Sequence, residues 1–347
     1  MTTQRRRVLV TGISGALASR LAARLAEDDR VEHLVGLDLR EPRADIGRAE
    51  FIRADLRNPL VAKVLESTGV DTVVHLAITA TPVGAGGRAR MKELKVIGTM
   101  QLLAAAQKAP ALHRLVMKST TAVYGSNYAD PALFREDVAP GGRPRSGYSK
   151  DAVEVEGYAR AFGRRRGDVG LTILRFANFI GPSVESPLTG YFSLPVVPMV
   201  LGYDPRLQLC HEDDAIEVLV RSTLEDHPGI YNVAGPGIVY LSQAVRLAGR
   251  PWVSVPLPLV NLVAQSIRRT GRVDFSPEQL QFLLFGRVGD IDRMRREFGY
   301  EPKYSTREAY LDFLAGRGIE PLVDPEAARR FQDQLASLLR RVTAGVR

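Results

Sequence analysis

Residues 11–18 read Thr11-Gly12-Ile13-Ser14-Gly15-Ala16-Leu17-Ala18, directly behind the apolar run Val8-Leu9-Val10 and ahead of a helix-forming stretch. Glycines in such a turn let the backbone bend tightly and approach a ligand closely, and the following helix presents a positive N-terminus. The chemistry to expect is capture of a diphosphate, with Gly12, Ser14, Gly15, Ala16 and Leu17 as the contacts. Such turns also occur for structural reasons alone, so the next acidic residue matters. Asp38 closes the second apolar run about twenty residues on, where a carboxylate can accept hydrogen bonds from ribose hydroxyls. The pair predicts a dinucleotide site. A carboxylate there repels a 2′-phosphate, which favours NAD over NADP; Arg40, just past Leu39, is the residue that would pair with that phosphate. Asp55-Leu56 and Leu76-Ala77, after two later apolar runs, complete the expected cleft.

Other candidate chemistry is weaker. His211-Glu212-Asp213-Asp214 is a poor metal cluster because adjacent side chains point apart, and no metal site is expected; Asp213 or Asp214 more simply caps the helix that follows. Cys210 is the single cysteine, which excludes an intrachain disulfide and suits a reducing, cytoplasmic setting.

The elements that position the glycine turn follow from pattern. Short β-branched runs at 8–12, 34–38, 51–55, 72–76, 114–119 and 171–176 alternate with helical stretches at about 15–27, 59–67, 89–109 and 149–166. This alternation predicts an α/β protein: a Rossmann-type, doubly wound parallel sheet with helices on both faces. After Gly181-Pro182 the chain becomes punctuated by proline and glycine, so residues 1–180 are expected to form the dinucleotide-binding domain and 181–320 a smaller C-terminal substrate lobe of interleaved segments. From residue 321 a C-terminal extension carries Phe331, Leu335, Leu338, Leu339 and Val342 at helical spacing, an amphipathic helix for packing on the body, a dimer contact or a membrane surface. The apolar run behind the charged start, Val8-Leu9-Val10, stops at Thr11 and Gly12, too soon for a signal peptide, and the apolar stretch 253–267 is too short and too interrupted by Pro256, Pro258, Asn261 and Gln265 to span a bilayer. The formal charge of +8 is scattered rather than gathered, and no nucleic-acid module accompanies it, so an anionic small ligand explains it better.

The strings VLVTGISGALA, ADLRN at 54–58, VVHLA at 73–77, STTAVYG at 119–125 and LRFANFIGP at 174–182 together resemble the extended short-chain dehydrogenase/reductase family, particularly UDP-glucose 4-epimerase and related nucleotide-sugar epimerases and dehydratases. The resemblance runs from residue 8 to about 313, with YNVAGPG at 231–237 and DIDRMRREFGYEPKYS at 290–305. It implies a hydroxyl residue, a tyrosine and a lysine four residues after that tyrosine. Thr120, with Thr121 as a substitute, matches the hydroxyl that holds the reacting oxygen; Lys150 matches the lysine that grips the nicotinamide ribose. Ser146 stands where the family has its acid–base tyrosine. Tyr148 lies two helical residues before Lys150 and so points elsewhere, unless Gly147 allows a shifted first turn that brings the phenol in; otherwise it merely packs while Ser146 caps the helix. Lys95 replaces an asparagine of the family's pattern and should either pair with an anion or point outward. Asn178 matches the asparagine that contacts the substrate diphosphate, and Arg206, next to the Leu207 that replaces the family's arginine, is expected to serve the same diphosphate.

The expected activity is therefore an NAD-dependent epimerase or dehydratase acting on a nucleotide sugar by transient hydride transfer, with a homodimer implied by the resemblance. The missing phenol implies weakness, since a positioned acid–base group contributes about 10²–10⁴-fold. Two alternatives keep the fold: a dinucleotide-binding sensor or scaffold without chemistry, and an oxidoreductase for a lipid-like or steroid alcohol with the apolar stretch 192–202 as its wall.

Overall fold

A computed structural model describes residues 5–77, 92–138, 147–269 and 277–322. Seven strands form the main sheet: β1 (Arg6–Thr11), β2 (Val31–Asp38), β3 (Glu50–Arg53), β4 (Thr72–His75), β5 (Arg114–Thr120), β6 (Gly170–Phe176) and, after a long excursion, β11 (Gly229–Val233). Their order is β11-β6-β5-β4-β1-β2-β3, and every pairing is parallel. The chain winds outward from β1 in one direction through β2 and β3, then returns to β4 on its other side and winds the opposite way. This places the topological switch between β1 and β4, where ligands bind outside the carboxyl ends of such strands.

The apolar runs exist because both faces of the sheet are covered. Val8, Val10, Val74, Val116 and Leu174 point to one face, packing with Leu21 and Leu25 of α1 (Ala16–Ala26) and with Val218 and Leu219 of the helix Glu212–Leu224. Leu9, Val73, Leu115 and Ile173, one residue out of phase, point to the other, against Leu65 of α2 (Val61–Thr68), Leu102 and Ala106 of α3 (Gly98–Gln107) and Val155, Ala159 and Phe162 of α4 (Gly147–Arg165). Each strand run falls within two or three residues of its expected position; β2 is the longest correction, beginning at Val31.

Before α3 the backbone makes a π-helical turn, Glu93–Ile97, in which the Gly98 N–H reaches the Glu93 carbonyl. Turns of this kind concentrate at functional sites.

The lobe is built from short pieces. Strand β7 (Asn178–Ile180) pairs β10 (Leu209–His211), β8 (Val197–Val200) pairs β13 (Trp252–Val255), and β9 (Arg206–Leu207) pairs β12 (Val239–Tyr240). Helices α5 (Pro187–Phe192), α6 (Glu212–Leu224), α7 (Leu241–Leu247), α8 (Val260–Arg269), α9 (Pro277–Phe285), α10 (Asp292–Arg296) and α11 (Thr306–Gly316) complete the described chain. Tyr191, Phe192, Leu207, Leu241, Tyr310 and Phe313 form the lobe's own core. Strand β11 and helix α6 nevertheless belong to the main sheet and its cover, so the sheet draws on residues beyond 180. The expected C-terminal helix and Ser146 lie outside the described residues.

Candidate active site

A cavity of about 770 Å³ opens along the carboxyl ends of β1, β2, β4, β5 and β6 and is roofed by residues of the lobe. That size is ordinary for a small-molecule site. Gly12, Ser14, Gly15, Ala16 and Leu17 line one end, together with Asp38, Leu39, Arg40, Leu56, Leu76 and Ala77.

The turn after β1 depends on its glycine. Gly12 has φ +76°, and a Cβ there would stand 2.7 Å from the Ala77 Cα. The backbone of β1 thus turns directly against the end of β4, with no room for a side chain. Gly15 caps α1 without any side-chain acceptor, leaving the first N–H groups of the helix for a ligand. Asp38 secures the same turn: one carboxylate oxygen accepts from the Ser14 N–H at 3.1 Å and its hydroxyl at 2.6 Å, and the other from the Leu39 N–H at 2.7 Å.

The opposite end holds the reactive side chains. Lys118 and Thr120, two apart on β5, line the cavity with Tyr148 of α4 and Asn178 of β7. Thr120 ends its strand and accepts a hydrogen bond from the Ala122 N–H at 3.1 Å. Gly147, at φ +74°, begins α4 in a conformation that only glycine adopts easily, and Tyr148 emerges from it into the cavity. Burial pushes the Tyr148 phenol up to about 12, a rise that its hydrogen bond with Thr120 and the charge of Arg287 only partly offset. Burial also draws Lys118 down to about 8.

Beneath this end, Ser119 faces the other side of the sheet and donates to Glu156 at 2.5 Å. Arg175 of β6 bonds both Glu156 oxygens, at 3.0 and 2.7 Å, and donates to the Tyr124 hydroxyl at 2.8 Å, which donates to Asn232 of β11 at 2.8 Å. The network ties α4, β5, β6 and β11 into one rigid floor.

Several residues fall elsewhere than sequence placed them. Lys150 is exposed and does not line the cavity. Lys95 does not point outward: it is buried, its Nζ 3.6 Å from the centre of the Tyr148 ring, a cation–π contact under the phenol. Asp55 sits outside the lining and pairs with Arg57 at 2.6 Å, and Thr121 is buried behind Thr120. Arg206 lies on β9 outside the cavity, where its carbonyl accepts from the Arg287 N–H at 3.3 Å. Helix α6 is capped by the His211 ring rather than by Asp213 or Asp214; Asp214 instead accepts from the Tyr300 hydroxyl at 2.6 Å. His211 also meets Asp312 at 3.1 Å.

Three cationic residues of the cavity lining escaped the sequence reading. Arg287 projects in from the lobe, its Nε donating to the Gly125 carbonyl at 2.7 Å and one Nη to Ser126 at 3.1 Å, and burial lowers it to about 10. Arg20 of α1 bonds Glu212 and Asp213, both at 2.6 Å, and so ties α1 to the start of α6. Lys118 was visible as a charge inside a strand run, and the two-residue period sets it on the face of Thr120. Arg287 stands three residues before the recognisable segment at 290, with no local pattern to mark it.

Known proteins share this architecture. An uncharacterised Mycobacterium tuberculosis protein is 46% identical over 340 residues, covering 96% of this chain and 90% of its own. The fold matches UDP-glucose 4-epimerase of Thermotoga maritima, solved with UDP-glucose, with a TM-score of 0.70 at 19% identity over 89% of this chain and 98% of the other. It also matches UDP-glucuronic acid 4-epimerase of Bacillus cereus, solved with UDP-glucuronic acid and NAD, with a TM-score of 0.68 at 19% identity over 90% and 99%. The family model for NAD dependent epimerases and dehydratases matches residues 8–234, and the chain belongs to that family.

Proposed function

We propose that the protein is an NAD-dependent oxidoreductase of nucleotide sugars that works by transient hydride transfer, as an epimerase or dehydratase. The observation that carries this reading is a single cavity with the Gly12–Asp38 cradle at one end and Thr120, Tyr148 and Arg287 at the other. The cradle fits NAD on its own geometry: a glycine whose Cβ would be blocked, an uncapped helix start for the diphosphate, and a carboxylate at the adenosine ribose position. When bound, NAD supplies reversible hydride acceptance.

The chain's own residues supply the rest. Thr120 holds the reacting hydroxyl, and Asn178 lies on the wall beside it. The Tyr148 phenol, pushed up to about 12, is protonated at neutral pH and serves as a hydrogen-bond donor to the developing carbonyl oxygen. Arg287 offers a desolvated cation to the substrate diphosphate, the role sequence gave to Arg206. Phe192, Leu194 and Val197 are buried in the lobe core, which favours a sugar over a lipid-like alcohol. The homodimer belongs to the same proposal.

Calorimetric titration with NAD and NADP, followed by incubation with UDP-glucose, UDP-galactose, UDP-glucuronate and dTDP-glucose and product analysis by NMR, tests it. NAD binding with conversion of one of these sugars is the expected result. Failure to bind either dinucleotide overturns the reading.

A further inference from the structure

We propose that Lys118 is the acid–base residue of this cavity, its amine taking the proton of the substrate hydroxyl during oxidation and returning it on reduction. The inference rests on the hydride-transfer reading above and assigns it a residue that the family resemblance does not. Lys118 and Thr120 sit two apart on one strand, so both side chains leave the same face, with their Cα atoms about 7 Å apart. Both line the cavity, as does Tyr148, whereas Lys150 stands exposed outside it.

The surroundings of Lys118 decide its charge. Tyr148 and Ser149 reach the cavity from α4, Phe176 and Ala177 from the end of β6. On Lys118's own face Glu212 of α6 lines the cavity and is paired with Arg20 at 2.6 Å; His75 of β4, beside Met117 on the opposite face, is driven by burial and the Lys118 charge to about 3 and therefore kept neutral. The other nearby cations are Lys95, under the Tyr148 ring, and Arg287. Among the described residues no carboxylate pairs with Lys118; Asp38 is three strands away, about 14 Å at the usual strand spacing. Desolvation thus acts unopposed and lowers the amine to about 8, so about a tenth is neutral at pH 7. Tyr148 cannot act as a base there, because its phenol holds its proton to about 12.

The step balances. The carbinol C–H bond breaks and its electron pair leaves as hydride to bound NAD, which is reduced. The O–H bond breaks, its electrons form the second C–O bond, and the proton joins the lone pair of Lys118 Nζ. Return of hydride and proton reverses each change.

The test has two arms. In the first, the full-length protein without cofactor is labelled with trinitrobenzenesulfonate across pH 6–11, and the modified peptides are resolved by mass spectrometry; seven lysines make this tractable. Labelling of Lys118 should have its midpoint near pH 8, against about 10.4 for an exposed lysine, and saturating NAD should suppress it. A midpoint near 10, or labelling that NAD does not affect, overturns the proposal. In the second arm, Lys118→Arg keeps the charge and volume but cannot release a proton, and Lys118→Met removes both. Both variants should lose at least about 100-fold in turnover while binding NAD within about threefold of the wild type. Activity retained in Lys118→Arg assigns the side chain a charge role and overturns the proton role. Absence of NAD binding by the wild type instead overturns the reading beneath it, while the labelling midpoint still reports on Lys118.

Discussion

Asp38 does two jobs in this structure, and replacing it separates them. Its carboxylate accepts from the Ser14 N–H and hydroxyl and from the Leu39 N–H, so it braces the turn, and it also stands where the adenosine ribose must lie. In Asp38→Ala the ribose hydroxyls lose a charged acceptor. Hydrogen bonds to charged groups are worth about 1.5–3 kcal/mol, and each 1.4 kcal/mol is tenfold in affinity, so NAD should bind about 10- to 150-fold more weakly. The turn also loses its brace, and that loss falls on any dinucleotide alike. NADP should fare differently from NAD, because the variant no longer repels a 2′-phosphate and leaves Arg40, which lines the same end, to pair with it. Calorimetric titration of the wild type and Asp38→Ala with both dinucleotides reads the two effects, with thermal unfolding as the check on folding. The preference for NAD over NADP should collapse by at least about tenfold. Equal weakening of both dinucleotides would show that Asp38 only holds the loop, and an unchanged NAD affinity would refute the placement of the ribose.

Other perturbations follow from the same geometry. Gly12→Ala forces a Cβ onto Ala77 in a left-handed conformation that alone costs about 1–2 kcal/mol, so NAD binding should fall at least tenfold and the unfolding midpoint should drop. Arg175→Met removes the close cation from the buried Glu156 carboxylate, leaving it Ser119 and the more distant Arg160, and denaturant titration should show a loss of at least about 1.5–3 kcal/mol. His75 is held neutral between Thr11 and Thr99, and its folded pKa of about 3 lies below the unfolded value near 6.5. The unfolded state therefore binds the extra proton between those values, and stability should decline below pH 6.5 by about 1.4 kcal/mol per unit from this group. Urea unfolding of wild type and His75→Gln at pH 7 and 4.5 checks it: the gap between them should narrow by about 2–3 kcal/mol at the lower pH, and a constant gap would refute the assignment.

The parts of this protein that sequence alone determined are those whose physics is local. Short apolar runs alternating with helical stretches specify parallel strands covered on both faces, an arrangement that buries Val8, Leu9 and Val10 together. The turn at Gly12 and the carboxylate at Asp38 were equally legible, since a backbone conformation and a strand end are properties of a few consecutive residues. Tyr148 was ambiguous in sequence because helix phase depends on where the helix starts, and Gly147 permits more than one start; the packed structure chose the one that opens the phenol onto the cavity. Arg287 joins the site only because the lobe folds back over the sheet, 162 residues from the Gly125 carbonyl that holds it. The reversal of Lys118 and Lys150 is the same lesson in electrostatics. Both are ordinary lysines as letters, and only the tertiary structure exposes one to water and encloses the other where its charge is costly to keep.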